Sequence, residues 1–112
     1  MPIAPAVKIG DLVYTSGLIA GDPETGLLVV GGFAEQAERV LDNLILVLEA
    51  AGSSLDKVAK VNVFFADIQA DFATFNEIYA RYFSSEYPAR TAIQAPLAFD
   101  FLRIEVEAIA TV

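Results

Sequence analysis

The segment "VAKVNVFFA", residues 58–66, decides the fold because it has the pattern of a strand and separates two helical patterns. It is rich in β-branched and aromatic residues, and one set of its alternating positions is wholly apolar: Val61, Val63 and Phe65. The pattern predicts a strand with these residues on one face. A strand between two helices in sequence is typical of a sheet that helices cover.

Two helices are predicted, one on each side of this strand. Residues 33–51 carry apolar side chains at the spacing of a helix with one buried face, and Gly52 ends that pattern. Residues 71–84, "DFATFNEIYARYFS", have aromatic and aliphatic side chains at helical spacing, with Asp71 as the predicted N-cap.

The remaining apolar runs predict strands that complete a single α+β domain over residues 1–112. The first two strands flank a Gly-Asp turn, and the predicted set is residues 6–9, 12–16, 27–30, 89–95 and 101–111. Together with two helical connections, this order fits one mixed sheet with both helices packed on one face.

The sheet face that the helices leave uncovered predicts contact with further copies of the chain. In the last strand Arg103, Glu105 and Glu107 alternate with apolar residues, so we expect all three to point away from the helices. Apolar residues make up 55% of the chain even when glycine is left out, against roughly 45–50% in ordinary soluble domains. A small monomer cannot bury so much apolar surface, and we therefore expect an oligomer.

Composition excludes several classes of function. A net charge of −8 with seven lysines and arginines argues against nucleic-acid binding, which needs clustered cations on the protein. No apolar run approaches the ~18 residues of a membrane span, and the first residues lack a signal-peptide pattern, which predicts a cytoplasmic protein. Without cysteine or histidine, chemistry has to rest on carboxylates, arginine, hydroxyls, amides and water.

A few polar residues are candidate site residues, and each also has a structural interpretation. Arg90 begins a β-favouring run, where it is either a surface ion-pair partner or a bidentate clamp for a carboxylate ligand. Glu105 is either a solvated acid or, if buried in a subunit cleft beside Arg90, a group that orients or deprotonates water. Asn76 is equally explained as an exposed helix position, and Ser16 and Gly17 as a strand end.

Several stretches in order resemble the RidA (YjgF) family over about residues 6–111: "GDLVYTSG", "FAEQAERVLDNL", "LEAAGSSLDKVAKVNVFFADI", "DFATFNEIYARYF", "YPART" and "IEVEAIA". The resemblance implies a chorismate-mutase-like fold and a homotrimer whose sheets form a central β-barrel, with ligand sites in the clefts between subunits. It also implies hydrolysis of enamines and imines such as 2-aminoacrylate to 2-keto acids and ammonia, with no cofactor or metal.

The same resemblance gives the candidate residues their roles. Arg90 and Glu105 are implied as catalytic residues, Arg90 holding the carboxylate of a small substrate and Glu105 positioning the attacking water. Ser16, Gly17 and Asn76 are implied to complete the substrate-binding cleft.

Departures from the family pattern lead to other hypotheses. Ile3, Ala4, Leu18 and Ala92 stand where the family often has polar or thiol side chains, which predicts weak or absent deaminase activity. Four further apolar residues indicate a surface for self-assembly or for a second protein: Leu27, Leu46, Phe99 and Phe101. Two alternatives to the enzyme therefore remain, a divergent or engineered non-catalytic trimeric scaffold and a sensor that binds carboxylates without turnover.

Overall fold

The computed structural model describes residues 2–22, 25–28, 31–84 and 86–112. In these ranges the elements follow in the order β1 (Ala6–Ile9), β2 (Leu12–Thr15), α1 (Phe33–Ala50), a 3-10 turn (Leu55–Lys57), β3 (Val58–Phe65), α2 (Ile68–Tyr82), β4 (Ala89–Gln94) and β5 (Ile104–Thr111). The predicted α+β class, with two helices between strands, is confirmed.

The strands form one mixed sheet in the order β1-β2-β5-β3-β4. Strands β3 and β4 run parallel because α2 carries the chain back between them, and the other neighbours are antiparallel. The strand predicted at 27–30 is described only at its start, where Leu28 forms an isolated bridge with Gly21. Val29 and Val30 lie outside the described residues.

Helix α1 forms because one of its faces is apolar over 18 residues, and the buried apolar side chains are Phe33, Ala37, Val40, Leu41, Leu44 and Leu48. It ends as the sequence predicts, at a glycine. Gly52 has φ +85°, its N–H donates to the carbonyl of Glu49, and the N–H of Ser53 donates to the carbonyl of Leu48. These two bonds satisfy carbonyls that the helix leaves unpaired.

Helix α2 begins three residues earlier than predicted, and the prediction of Asp71 as its N-cap is wrong. Asp67 is the cap, and its side-chain oxygen accepts a hydrogen bond from the N–H of Ala70. Asp71 directly precedes the aromatic run, but Ile68 already lies in the first helical turn. Asp71 is instead buried within that turn, where it forms an ion pair with Arg103.

Both helices cover the same face of the sheet, as predicted. The buried sheet residues on that face include Val13, Val61, Val63, Phe65, Ile104, Val106, Ala108 and Ala110. The register places Val63 opposite Val106, and on the other face it places Phe64 opposite Glu105. The core therefore lies between the helices and one side of the sheet, and Glu105 faces away from it.

The prediction that Arg103 points away from the helices is wrong. Strand β5 begins at Ile104, so Arg103 precedes the alternation of the strand. Its Nε and Nη2 donate to the carboxylate of Asp71 on α2 at 2.7–3.0 Å. Gln36 of α1 accepts from the N–H of Arg103 at 2.8 Å and donates to the carbonyl of Phe101 at 2.9 Å. These bonds join both helices to the segment before β5.

Candidate functional site

Arg90 lies near the start of the edge strand β4 and has no acidic partner in the described ranges of the chain. It pairs with Val61 of β3, so its side chain leaves the sheet on the helix side. Its Nη2 donates to Oδ1 of Asn76 in α2 at 2.8 Å. Among the described residues no carboxylate lies within ion-pair distance of Arg90, although the chain has 15 acidic residues. The surface ion pair considered for Arg90 is thus absent from the described part of the chain.

Three aromatic rings of α2 surround the same guanidinium. Its Cζ lies 4.8 Å from the ring centroid of Tyr79 and 5.7 Å from those of Phe72 and Phe75. All three distances are within the ~6 Å range of cation–π attraction. Aromatic faces hold the cation without cancelling its formal charge, so Arg90 keeps its capacity to bind an anion.

Glu105 lies beside Gly17 because the pairing of β2 with β5 contains a bulge. The register between the two shifts by one residue between Tyr14 and Leu18, and Thr15 Oγ1 accepts from the N–H of Ala108 at 3.0 Å. A Cβ on Gly17 would overlap the Glu105 carboxylate, with its Cδ only 2.9 Å away. Glycine at position 17 therefore lets the Glu105 carboxylate lie where a larger residue would displace it, and the bulge sets the position of the acid.

The electrostatic surroundings of Glu105 raise the proton affinity of its carboxylate. Burial raises the pKa of the Glu105 carboxyl above its ordinary value, and the neighbouring charge of Glu107 raises it further. Asn62 donates to Glu107 at 3.0 Å, whereas in the described ranges no group donates a hydrogen bond to the Glu105 side chain. A carboxylate with open acceptor sites and raised proton affinity is suited to take a proton from water.

Ser16 is tied to the segment that precedes β1. Its hydroxyl donates to the carbonyl of Ala4, and its N–H donates to the carbonyl of Pro5 at 2.9 Å. The hydroxyl proton is thus engaged in holding residues 2–5 against β2. Ile3, the residue before Ala4, is exposed on this segment.

Within one chain, the candidate residues form two separate groups. Arg90 and Asn76 lie on the helix side, and Glu105 and Gly17 lie at the opposite face of the sheet. Arg90 pairs with Val61 of β3, and Val61 pairs with Ala108 of β5. Ala108 lies three residues after Glu105, so Arg90 and Glu105 are two strands and three residues apart. Strand spacing and rise then give about 14 Å between their Cα atoms. A single chain therefore does not bring the two side chains together.

The residues that sequence reasoning missed are aromatic or small. Tyr79 and Phe72 line the guanidinium, but their helical spacing was fully explained by burial. Thr15 supports the bulge, and a hydroxyl at a strand end carried no distinguishing signal.

Ala92 is partly buried against the core, and Leu18 continues the pairing with β5 through two backbone bonds to Val106.

The four apolar residues proposed as a docking surface are all exposed: Leu27, Leu46, Phe99 and Phe101. The rings of Phe99 and Phe101 stack on each other at 5.8 Å. Leu46 lies at the junction of two adjoining pockets of about 380 and 360 Å³, which also share Pro5 and Val47. These four apolar side chains are therefore on the surface of the chain, as the sequence predicts.

Neither a metal-binding cluster nor a membrane-spanning helix is found in the described ranges. No group of three or more acidic side chains there converges closely enough to hold a metal ion. None of the helices formed by these residues has the length and apolar character needed to cross a bilayer.

Comparison with known proteins identifies the family. The family model described as Endoribonuclease L-PSP matches residues 2–112, and the chain belongs to this family. The human 2-iminobutanoate/2-iminopropanoate deaminase is 46% identical over 109 residues, which cover 97% of this chain and 79% of that protein. The resemblance to RidA proteins predicted from the sequence is confirmed.

Solved structures agree with this assignment. RidA from the Antarctic bacterium Psychrobacter superimposes with a TM-score of 0.93 at 41% identity, covering all of this chain and 89% of that one. TdcF from E. coli, solved with bound serine, superimposes with a TM-score of 0.90 at 35% identity, with coverage of 100% and 89%. The family and the fold therefore agree across the whole domain.

Proposed function

We propose that the protein is a RidA-type deaminase that hydrolyses small enamine and imine carboxylates to 2-keto acids and ammonia in the cytoplasm. The observation that carries the proposal is the guanidinium of Arg90, which has no acidic partner among the described residues and retains N–H donors for a ligand. An arginine fork matches a carboxylate with two parallel hydrogen bonds. The deaminase name of the human relative supports the same reaction class.

The active unit is a homotrimer in which the two groups of site residues come from neighbouring subunits. The outer sheet face supports association, because it carries exposed apolar side chains in register: Val7, Ile9, Leu12, Tyr14 and Ile93. Such a face is destabilising in water and favourable when copies of it pack together. The free edge of β4 then brings Arg90 to a subunit boundary, where it meets Glu105 of the next copy.

The reaction needs one water and one proton acceptor. An enamine such as 2-aminoacrylate takes up a proton from solvent at its terminal carbon and becomes an iminium ion, whose carboxylate binds Arg90. Glu105 accepts a proton from water as the oxygen bonds to the iminium carbon, giving a carbinolamine. The protonated Glu105 returns that proton to nitrogen, ammonia leaves, and loss of the hydroxyl proton gives the keto group. The raised pKa of Glu105 suits both the acceptance and the return of the proton.

The direct test is hydrolysis of 2-aminoacrylate generated in place by a serine dehydratase. The protein should accelerate pyruvate formation over buffer, and Arg90→Ala should lower kcat/KM by at least about tenfold, ~1.4 kcal/mol. Arg81→Ala removes an exposed arginine of α2 and serves as the matched control. Equal rates for protein, Arg90→Ala and buffer would remove the catalytic proposal.

The apolar residues near the site predict a low turnover. Ile3 and Ala4 replace polar groups that the family pattern leads us to expect, and Ser16 donates to the carbonyl of Ala4. Restoring polarity with the double variant Ile3→Tyr, Ala4→Ser should therefore raise kcat while leaving the requirement for Arg90 intact. A variant with unchanged or lower kcat would show that this segment does not limit turnover.

A second candidate function is a trimeric scaffold that assembles further through its added apolar surface. The exposed Leu46 between two pockets favours this candidate. Size-exclusion chromatography with light scattering should then show particles larger than a trimer, and Leu46→Lys should return them to trimers. A monodisperse trimer of the unaltered protein would count against this function.

A further inference from the structure

The guanidinium of Arg90 is fixed by one amide and three rings, and Tyr79 is the nearest of these rings. The distance from Cζ to its centroid is 4.8 Å, almost 1 Å shorter than for Phe72 or Phe75. Because cation–π attraction weakens with distance, Tyr79 contributes the largest share of it. The single hydrogen bond to Asn76 fixes one nitrogen but leaves rotation about that bond open.

The Tyr79 ring is itself held rigidly. It is only 5% exposed, it stacks on Phe83 at 4.4 Å, and it contacts Phe75 at 5.5 Å between centroids. A ring fixed on its other side provides a firm surface for the cation. The packing of α2 thus fixes where the guanidinium of Arg90, on the edge strand, can lie.

The tyrosine holds this cation without neutralising it. Burial raises the pKa of Tyr79 to about 12, although the charge of Arg90 opposes that shift. The phenol therefore stays neutral at physiological pH and forms no ion pair with Arg90. An acidic residue in this place would compete with a ligand carboxylate, whereas an aromatic face does not.

We propose that Tyr79 is a positioning residue for carboxylate binding: its ring orients the guanidinium of Arg90 so that the unpaired N–H edge faces the ligand while its charge remains available. This inference rests on the proposed function, because it assigns Arg90 the role of ligand clamp. It adds a residue that acts through Arg90 and does not itself touch the substrate.

The hydroxyl of Tyr79 takes no part in this positioning role. The Tyr79 hydroxyl has no hydrogen-bond partner among the described residues, and an unpaired buried hydroxyl destabilises the fold. The ring of Tyr79, and not its hydroxyl, therefore holds the guanidinium. Tyr79→Phe keeps the ring and should leave ligand affinity unchanged, with equal or higher thermal stability.

The experiment measures pyruvate binding by 15N-HSQC titration, alongside KM and kcat for 2-aminoacrylate. Tyr79→Leu should weaken pyruvate binding and raise KM by about 2- to 30-fold, which corresponds to ~0.5–2 kcal/mol, with kcat nearly unchanged. Tyr82→Leu removes a ring of the same helix that bonds to Asp42 of α1 instead of packing on Tyr79, and it should leave both constants unchanged. Tyr79→Phe should restore wild-type binding.

The outcomes separate the two proposals. If Arg90→Ala leaves pyruvate affinity unchanged, the clamp and the proposed function are both wrong. If Arg90→Ala abolishes binding but Tyr79→Leu behaves like Tyr82→Leu, only the positioning role is wrong. Should Tyr79→Leu fail to fold, Tyr79→Met fills the space with a flexible apolar side chain that has no aromatic face, and it should weaken pyruvate binding by the same 2- to 30-fold, about 0.5–2 kcal/mol. Unchanged affinity in Tyr79→Met would then overturn the inference.

Discussion

Replacing Arg103 with methionine should destabilise the fold more than any surface change of similar size. Arg103 makes three hydrogen bonds of 2.7–3.0 Å to Asp71, and the Asp71 side chain is 6% exposed while that of Arg103 is 40% exposed. Removing the arginine leaves a buried carboxylate without its partner. Breaking a fully buried pair in this way costs ~3–5 kcal/mol. Because water reaches the Arg103 side and screens the charge, we expect about 2–3 kcal/mol.

The assay is urea denaturation followed by circular dichroism, at one fixed protein concentration because oligomers unfold in a concentration-dependent way. Arg103→Met should lower the midpoint, and the double variant Arg103→Met, Asp71→Leu should recover much of the loss because no buried charge remains. Arg81→Met, an exposed arginine of α2, is the matched control. A double variant less stable than Arg103→Met alone would refute the view that the unpaired carboxylate is the source of the loss.

Three further predictions concern other parts of the molecule. Gly17→Ala places a Cβ against the Glu105 carboxylate and should lower kcat with little change in thermal stability; unaltered kcat would argue against a role for the Glu105 position. Glu105→Gln removes a group whose pKa is raised in the folded state. In the parent, ionisation of the Glu105 carboxyl above its unfolded-state pKa lowers the stability of the fold, and the variant lacks this loss. The melting temperature of the variant minus that of the parent should therefore rise from about pH 4 to pH 7. A difference that falls over this range would contradict the raised pKa. Gly52→Ala forces a left-handed conformation on alanine and should reduce the free energy of unfolding by ~1–2 kcal/mol, whereas an unchanged denaturation midpoint would contradict the strain.

The regular elements could be predicted because their signals are local. The apolar stripe of residues 33–51 and the stop at Gly52 each depend on neighbours a few residues away, and the structure follows them closely. The N-cap of α2 is different, because Asp67 and Asp71 are the same residue type and both precede apolar residues. In the structure Asp67 accepts the capping bond from the N–H of Ala70, and Asp71 lies inside the first turn, where it binds Arg103, 32 positions away.

The candidate site is less predictable because its geometry depends on contacts between distant segments. The shift of register that sets Gly17 against Glu105 arises where β2 meets β5, almost ninety residues later. The rings around Arg90 look like ordinary core positions of an amphipathic helix. What the sequence supplies is the set of residue types, and the resemblance supplies their grouping.

Subunit mixing tests the central claim most directly. Arg90→Ala and Glu105→Gln proteins should each be nearly inactive, and together, after dissociation and reassembly, they should form some sites with both groups intact. If each site draws Arg90 from one subunit and Glu105 from the next, random 1:1 mixing makes about one site in four complete, because the interfaces of a ring are heterologous and each site needs the two variants in one order. The account predicts recovery of about a quarter of the wild-type specific activity for 2-aminoacrylate hydrolysis. A reassembled mixture that stays as inactive as its two components would contradict it.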